Sequence, residues 1–252
     1  MLGQVIWCIS TALVILLLAR GFRTGLVRRF PIFHAYIAYV IAQDFVRFLA
    51  HRQNDEVYKS TYWGTEFLAL AVGSLVVFEI YRVSLAAYPG AARMARNALA
   101  FVFLVALVKG ISDAVAAHHG WLAMAPAVDI ERALRAVQAA AILALVALFL
   151  LYSVPFGRNL RGILLGYGVF VAGRVVSLVF VSQSIHNFWY YAYSASYIVA
   201  VTLWLAYLWS YQPIPQAQAG GVELENDYQQ IAAETRRRLQ GTRAYLRRAV
   251  RS

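Results

Sequence analysis

Two long stretches of this chain contain no Asp, Glu, Lys or Arg, and they limit the fold more than any other feature. They are Ala136–Gly157 and Val175–Val222. A helix needs about 20 mainly apolar residues to cross a bilayer, and each stretch is long enough. Hydrophobic residues make up 61% of the 252 residues and charged residues 14%, whereas a soluble domain carries roughly 25% charged residues. We therefore exclude a soluble fold, a disordered chain and a disulfide scaffold, and predict a polytopic membrane protein.

Seven apolar segments of helical length follow one another along the chain, separated by short polar gaps. Short connections are typical of antiparallel helices in a bundle. We predict an all-α transmembrane bundle of seven spans in residues 1–212, a linker at 213–222 and a basic amphipathic helix at 223–252. The predicted spans are Gln4–Leu18, Pro31–Leu49, Tyr62–Tyr81, Leu99–Ala117, Ala133–Ser153, Ile163–Ser182 and Phe188–Tyr211.

Basic residues are concentrated in alternate gaps, and this pattern predicts the orientation. Cytoplasmic loops are enriched in Lys and Arg, so we place the N-terminus outside and the C-terminus in the cytoplasm. The first span has no basic residue before it and a basic cluster after it, which favours a retained anchor over a signal peptide. The cytoplasmic side receives sixteen basic residues: Arg20, Arg23, Arg28, Arg29, Arg82, Arg93, Arg96, Arg158, Arg161, Arg236, Arg237, Arg238, Arg243, Arg247, Arg248 and Arg251. The outer side receives four: Arg52, Lys59, Arg132 and Arg135.

Ionisable side chains within or beside the spans are the strongest functional signal in the sequence. A charge exposed to lipid at mid-depth costs at least about 2.5–3.5 kcal/mol, so we expect these groups to face the bundle interior and to pair there. The topology places them in the outer half of the membrane, where the last span adds tyrosines on one face. The candidate ligand-binding residues are Asp44, Arg47, Glu66, Lys109, Asp113, Arg135, Arg174, Tyr193 and Tyr197.

Helical spacing supports the inward orientation of two of these groups. Lys109 and Asp113 lie one turn apart on the fourth span, and Arg135 shares a face with Glu131 and Gln138 near the start of the fifth. Two interpretations remain open. The charges form either a structural network that fixes which helices meet or a site for a small polar ligand, an ion or a lipid headgroup.

The inner half of the predicted bundle bears on the choice between binding and transport. It is nearly free of charge apart from Glu79, for which Arg82 is a candidate ion-pair partner. A conduit needs polar groups along its whole length, so we expect a binding or sensory protein with an outward-facing polar pocket. A transporter or ion-translocating protein is the first alternative, and an intramembrane enzyme acting on lipid is the second.

Several chemistries lack the residues that they require. A retinal pigment needs a lysine in its last helix, but the only lysines are Lys59 and Lys109. The five histidines do not face one another at matched depth, and no hydrolase, zinc-protease or phosphate-loop motif is present. We predict no cofactor, no metal, no catalytic residue and no nucleic-acid partner.

The basic C-terminal helix is predicted to contact anionic lipids of the inner leaflet. Its arginines cluster towards the end of the chain, and its apolar residues recur at helical spacing. Surface-proximal basic residues each contribute about 1 kcal/mol of attraction to such a membrane. The other expected partners are the surrounding bilayer and the unidentified small ligand, and a protein partner in the membrane stays open.

Three short motifs carry a family resemblance. They are Tyr62-Trp63-Gly64-Thr65-Glu66, Phe78-Glu79-Ile80-Tyr81-Arg82 and Tyr88-Pro89-Gly90. In these segments the chain resembles uncharacterised bacterial seven-helix integral membrane proteins of similar length. The resemblance covers most of the predicted spans but not the tail. It implies a multi-pass protein of the bacterial inner membrane and carries no assigned activity.

Overall fold

The computed structural model describes residues 2–116, 124–152, 157–180, 186–212, 226–238 and 240, and these ranges contain helices and no strand. The all-α prediction is therefore confirmed for this part of the chain. Residues 226–238 of the predicted tail helix are helical and mostly exposed, whereas the predicted linker lies outside the described residues. The eight principal helices are α1 (Leu2–Thr24), α2 (Leu26–Arg29), α3 (Pro31–His51), α4 (Asp55–Ser84), α5 (Pro89–Ala116), α6 (Met124–Tyr152), α7 (Arg158–Phe180) and α8 (His186–Tyr207).

Six helices contain segments that are long and apolar enough to cross a membrane, which supports a multi-pass membrane protein. In α8 the apolar segment within the described residues is shorter, Ala192–Tyr207. The helices also extend beyond several predicted spans, since α4 begins at Asp55 and α6 at Met124. The six segments are Ile6–Thr24, Pro31–His51, Asp55–Ser84, Pro89–Ser112, Val128–Leu151 and Arg158–Leu178.

The long helices form one bundle in which α4 is the central element. It packs against α3, α5, α6 and α7, and the circuit closes because α8 packs against both α7 and α1, which in turn contacts α3. Helix α5 lies at the periphery and contacts only α4 and α6 among the described helices. Consecutive long helices run in opposite directions, so α3 and α7 end where α4, α6 and α8 begin.

Small residues let α7 and α8 approach closely. A Cβ on Gly162 would overlap Tyr207, and one on Gly166 would overlap the indole of Trp204. Trp204 is fully buried and donates from Nε1 to the carbonyl of Ile163 at 3.3 Å. Close packing of small residues is a common source of helix association in membranes, and here it positions the helix that carries Tyr193.

Glu79 ties the end of α4 to the start of α3. Its carboxylate accepts hydrogen bonds from the backbone N–H groups of Ile32 at 3.0 Å and Phe33 at 2.7 Å. Helix N-termini carry unsatisfied donors and a partial positive charge, and Pro31 at the first turn leaves these two N–H groups to be capped. The expected ion pair with Arg82 is not formed, because the carboxylate is directed at the helix terminus and Arg82 is exposed.

We predict that Glu79→Ala destabilises the bundle by about 2 kcal/mol, because two N–H groups lose their acceptor. Glu79→Gln retains an acceptor oxygen and should cost less. The free energy of unfolding in mixed detergent micelles measures both changes. Arg82→Ala is the matched control and should have little effect; a loss equal to that of Glu79→Ala would restore the ion-pair interpretation.

Candidate functional site

A cavity of about 960 Å³ occupies the end of the bundle where α3 and α7 finish and α4, α6 and α8 start. Helix α1 closes one side through Ile6, Trp7 and Ser10. The cavity contains charged, aromatic and apolar side chains together. Among the predicted site residues, those that line it are Asp44, Arg47, Glu66, Arg135, Arg174, Tyr193 and Tyr197.

Glu66 of α4 joins two arginines from different helices. Its Oε2 accepts from Nη2 of Arg47 on α3 at 3.0 Å, and its Oε1 accepts from Nη2 of Arg135 on α6 at 3.0 Å. The side chain of Glu66 is 8% exposed and that of Arg135 is 1% exposed. One carboxylate therefore connects three helices in an interior where each charge needs a partner.

Glu131 of α6 extends this connection to α7. Its carboxylate is fully buried and accepts hydrogen bonds from Nε and Nη2 of Arg174 at 2.5 and 2.8 Å. Its Oε1 also lies 3.7 Å from Nε of Arg135, one helical turn along α6. Arg47, Glu66, Arg135, Glu131 and Arg174 thus form an alternating line of charges across four helices, which we call the charge chain.

Neutral groups hold the two ends of the charge chain in place. Arg47 donates to the Thr65 hydroxyl at 2.8 Å and to the Tyr62 carbonyl at 3.0 Å, and its guanidinium lies 4.2 Å from the centre of the Tyr62 ring. With its amide oxygen turned towards Arg47, Gln43 accepts from both Nη atoms at 2.8 Å. Arg174 lies 5.0 Å from the centre of the Tyr193 ring. These contacts orient the guanidinium groups with little freedom left.

Gln138 supports the centre of the charge chain from below. Its Oε1 accepts from Nη1 of Arg135 at 3.3 Å, and its Nε2 donates to the Ser74 hydroxyl at 3.1 Å and the Leu70 carbonyl at 3.3 Å. The face shared by Glu131, Arg135 and Gln138 on α6 was expected from their spacing. Because all three are buried, this face of α6 is polar although most of the helix is apolar.

Asp44 balances the charge of the cluster without joining it. The charge chain holds three arginines and two glutamates, and Asp44 adds a half-buried carboxylate to the same cavity, whose exposed lining also includes Lys59, Asp129 and Arg132. No cationic side chain in the described ranges forms an ion pair with it. It interacts electrostatically with Arg47, one turn along α3. The carboxylate is half-buried and faces the cavity.

Lys109 differs from the expected inward orientation. It is exposed on α5 and does not line the cavity. Its neighbour Gly110 is the residue that faces α6, where a Cβ would lie 3.0 Å from Ile130, and adjacent residues on a helix point about 100° apart. The side chain of Asp113, the other predicted member of that pair, lies outside the described residues.

Sequence reasoning did not include Glu131 and Tyr62 among the site residues. Both line the cavity, and Tyr62 accepts a hydrogen bond from Nη2 of Arg174 at its hydroxyl, at 3.3 Å. Glu131 lay just before the predicted fifth span, which was drawn from Ala133, so it was not counted within the membrane. Its position one turn from Arg135 was the sequence feature that could have identified Glu131 as a site residue. Within the described ranges, no group of three or more His, Cys, Asp and Glu side chains is arranged to hold a metal ion.

Comparisons with known proteins do not assign the site. The chain matches no known protein family, and no curated protein or solved structure is significantly similar to it.

We predict strong coupling between Glu131 and Arg174. Glu131→Gln or Arg174→Met alone leaves a buried charge without its partner, which typically costs about 3–5 kcal/mol. The double change removes both charges and should cost clearly less than the sum of the single changes. A double-mutant cycle on the free energy of unfolding in mixed micelles measures this coupling.

Asp129 and Arg132 provide the matched control for this cycle. They form an ion pair at 2.9 Å on the same helix, but their side chains are 63% and 44% exposed. An exposed pair contributes about 0–1 kcal/mol, so its cycle should show weak coupling. If the Glu131–Arg174 cycle shows no more coupling than this one, the charge chain does not hold the helices together.

Proposed function

We propose that this chain is a seven-span protein of the bacterial inner membrane that binds a small polar ligand in an outward-facing cavity, in a receptor or sensory role. The observation that carries the proposal is a large cavity lined by charged side chains whose inner end is closed. The positive charges at the opposite end of the bundle support a cytoplasmic location for that end. The N-terminus is then outside, and the arginine-rich tail faces anionic lipids of the inner leaflet.

The closed inner end supports binding over conduction. Below the cavity the bundle axis is filled by apolar side chains that are at most 2% exposed, including Phe33, Ile37, Leu70, Val77 and Trp204. Gln138 and Tyr167 are the buried polar side chains described near this layer. Gln138 is already hydrogen-bonded to Arg135, Ser74 and the Leu70 carbonyl, so the described residues offer water and ions little beyond the Tyr167 hydroxyl.

Buried polar groups near the cytoplasmic end do not extend a path through the bundle. Glu79 caps α3, and Nδ1 of His34 is hydrogen-bonded to the Phe30 carbonyl at 2.7 Å. Asn159 is hydrogen-bonded to the carbonyls of Tyr207 and Ser210 at 2.9 and 2.8 Å. Each of these hydrogen bonds is made at the end of a helix.

The lining of the cavity supports recognition of a polar molecule that also has apolar surface. Charged groups lie beside aromatic rings throughout, and small ligands are usually held by a few placed polar groups within mainly apolar walls. The cavity volume of about 960 Å³ is at the upper end of the range of roughly 300–1,000 Å³ that is typical of ligand pockets.

We predict that a Trp side chain placed in the cavity abolishes ligand-dependent stabilisation. Ser177 lines the cavity and is 8% exposed, so Ser177→Trp should fill space that a ligand needs. The measurement is the melting temperature of the protein in nanodiscs, with and without a panel of small polar compounds. Thr202→Trp, on the exposed face of α8, is the matched control and should respond to compounds as the natural chain does.

Two outcomes would contradict the proposed function. If no compound in the panel raises the melting temperature, or if compounds stabilise the Ser177→Trp variant as well as the natural chain, the cavity is not a binding site. Uptake of a stabilising compound into sealed proteoliposomes would contradict the receptor role and support the transporter alternative.

A further inference from the structure

The charges around the cavity specify the class of ligand, on the basis of the proposed function. We infer that the ligand is a small zwitterion whose anionic group binds at Arg174 and whose cationic group binds at Asp44. The class includes amino acids, betaines and ethanolamine phosphate groups, either free in solution or as a lipid headgroup.

Arg174 offers the binding position for the anionic group. Its Nε and Nη2 are engaged by Glu131, and Nη2 also donates to Tyr62. No acceptor among the described residues is hydrogen-bonded to Nη1. The side chain is 13% exposed, and Arg174 lines the cavity. A guanidinium held by a carboxylate on one edge presents its remaining N–H donors in a fixed direction, which suits a carboxylate or phosphate ligand.

Asp44 offers the binding position for the cationic group. Arg47, one turn away on α3, directs its guanidinium at Thr65 and Glu66, so it does not form an ion pair with Asp44. The rings of Tyr36 and Tyr197 also line the cavity, and the Tyr197 hydroxyl lies within electrostatic range of the Asp44 carboxylate. A carboxylate beside aromatic rings is a favourable site for an ammonium group.

The two positions lie on the wall of the same cavity. Tyr193 packs against Arg174, and Tyr197, one turn further along α8, interacts electrostatically with Asp44. Because both positions line one cavity, a single ligand can contact both of them.

Charge balance argues against a ligand with a net charge. In the buried and half-buried part of the lining, the arginines 47, 135 and 174 are matched by Asp44, Glu66 and Glu131. Lys59, Asp129 and Arg132 also line the cavity, but they are exposed, and water and salt screen exposed charges. Adding an anion or a cation to this set leaves one charge uncompensated in a weakly screened interior, where the cost is high. A zwitterion satisfies both open groups and keeps the set neutral.

The test compares zwitterions with singly charged analogues of similar size. The natural chain in phosphatidylglycerol nanodiscs, whose lipid has no cationic group, is titrated with γ-aminobutyrate, glycine betaine and glycerophosphoethanolamine, and with butyrate, butylammonium and dimethyl phosphate. The readout is the melting temperature together with the dissociation constant from calorimetry. We expect at least one zwitterion to bind about tenfold or more tightly than each analogue that lacks one of its charges.

The Asp44→Asn variant should change the ligand preference, which would not happen if Asp44 had only a structural role. It should weaken binding of the zwitterion about tenfold, because the contact with the ammonium group loses its charge. It also removes a negative charge from the buried part of the cavity, so butyrate should bind this variant more tightly than it binds the natural chain. Asp129→Asn is the matched control, since Asp129 lines the cavity but is paired with exposed Arg132, and it should leave the preference unchanged.

Short-chain phosphatidylethanolamine distinguishes the two sources of the zwitterion. Tighter binding of this lipid than of glycerophosphoethanolamine assigns the site to a headgroup, and the reverse assigns it to a free solute; both results support the inference. Equal binding of butyrate and γ-aminobutyrate by the natural chain, or an Asp44→Asn variant with unchanged preference, would overturn it. If singly charged compounds bind and Ser177→Trp abolishes their binding, the proposed function stands without the zwitterion. If no compound binds, both the proposed function and the zwitterion inference are contradicted.

Discussion

The structure depends on one constraint, which is that a buried arginine must be neutralised in a membrane-embedded interior. Arg135 is 1% exposed and lies between Glu66 of α4 and Glu131 of the preceding turn of α6. Each of these carboxylates in turn binds an arginine from another helix, so the positions of α3, α4, α6 and α7 are all set by the same line of charges. A shift of any one helix would separate an ion pair whose carboxylate is at most 8% exposed and is poorly hydrated.

The same line of charges explains why the two ends of the bundle differ. Long charged side chains occupy the end of the bundle where α4 and α6 begin, and the cavity lies between them. Towards the opposite end, small residues such as Gly166 allow α7 and α8 to approach, and large side chains such as Trp204 fill the axis. A polar cavity that is closed at one end by apolar side chains favours ligand binding from one side over transport through the bundle.

Much of this arrangement could be predicted from the sequence, because charges in apolar spans must face inward and pair. That rule identified Arg47, Glu66, Arg135 and Arg174 together. It did not predict that Lys109 is exposed on α5, because depth along a span does not give the direction of a side chain on a peripheral helix. Glu131 was not included among the site residues because the predicted fifth span began at Ala133, two residues after it. The capping of α3 by Glu79 could not be predicted, since it joins residues more than forty positions apart whose proximity depends on the packed bundle.

A cysteine scan of α8 tests the central claim, a chamber open to the outside and closed within, most directly. Single cysteines replace Tyr193, Tyr197, Ala200 and Trp204 in a Cys8→Ser background, and a membrane-impermeant thiol reagent is added to one side of sealed vesicles at a time. The account predicts labelling at 193 and 197 from the outside only, and none at 200 or 204 from either side, because Ala200 and Trp204 are fully buried. Labelling at 200 or 204 from the cytoplasmic side would show a continuous water path through the bundle and contradict the account.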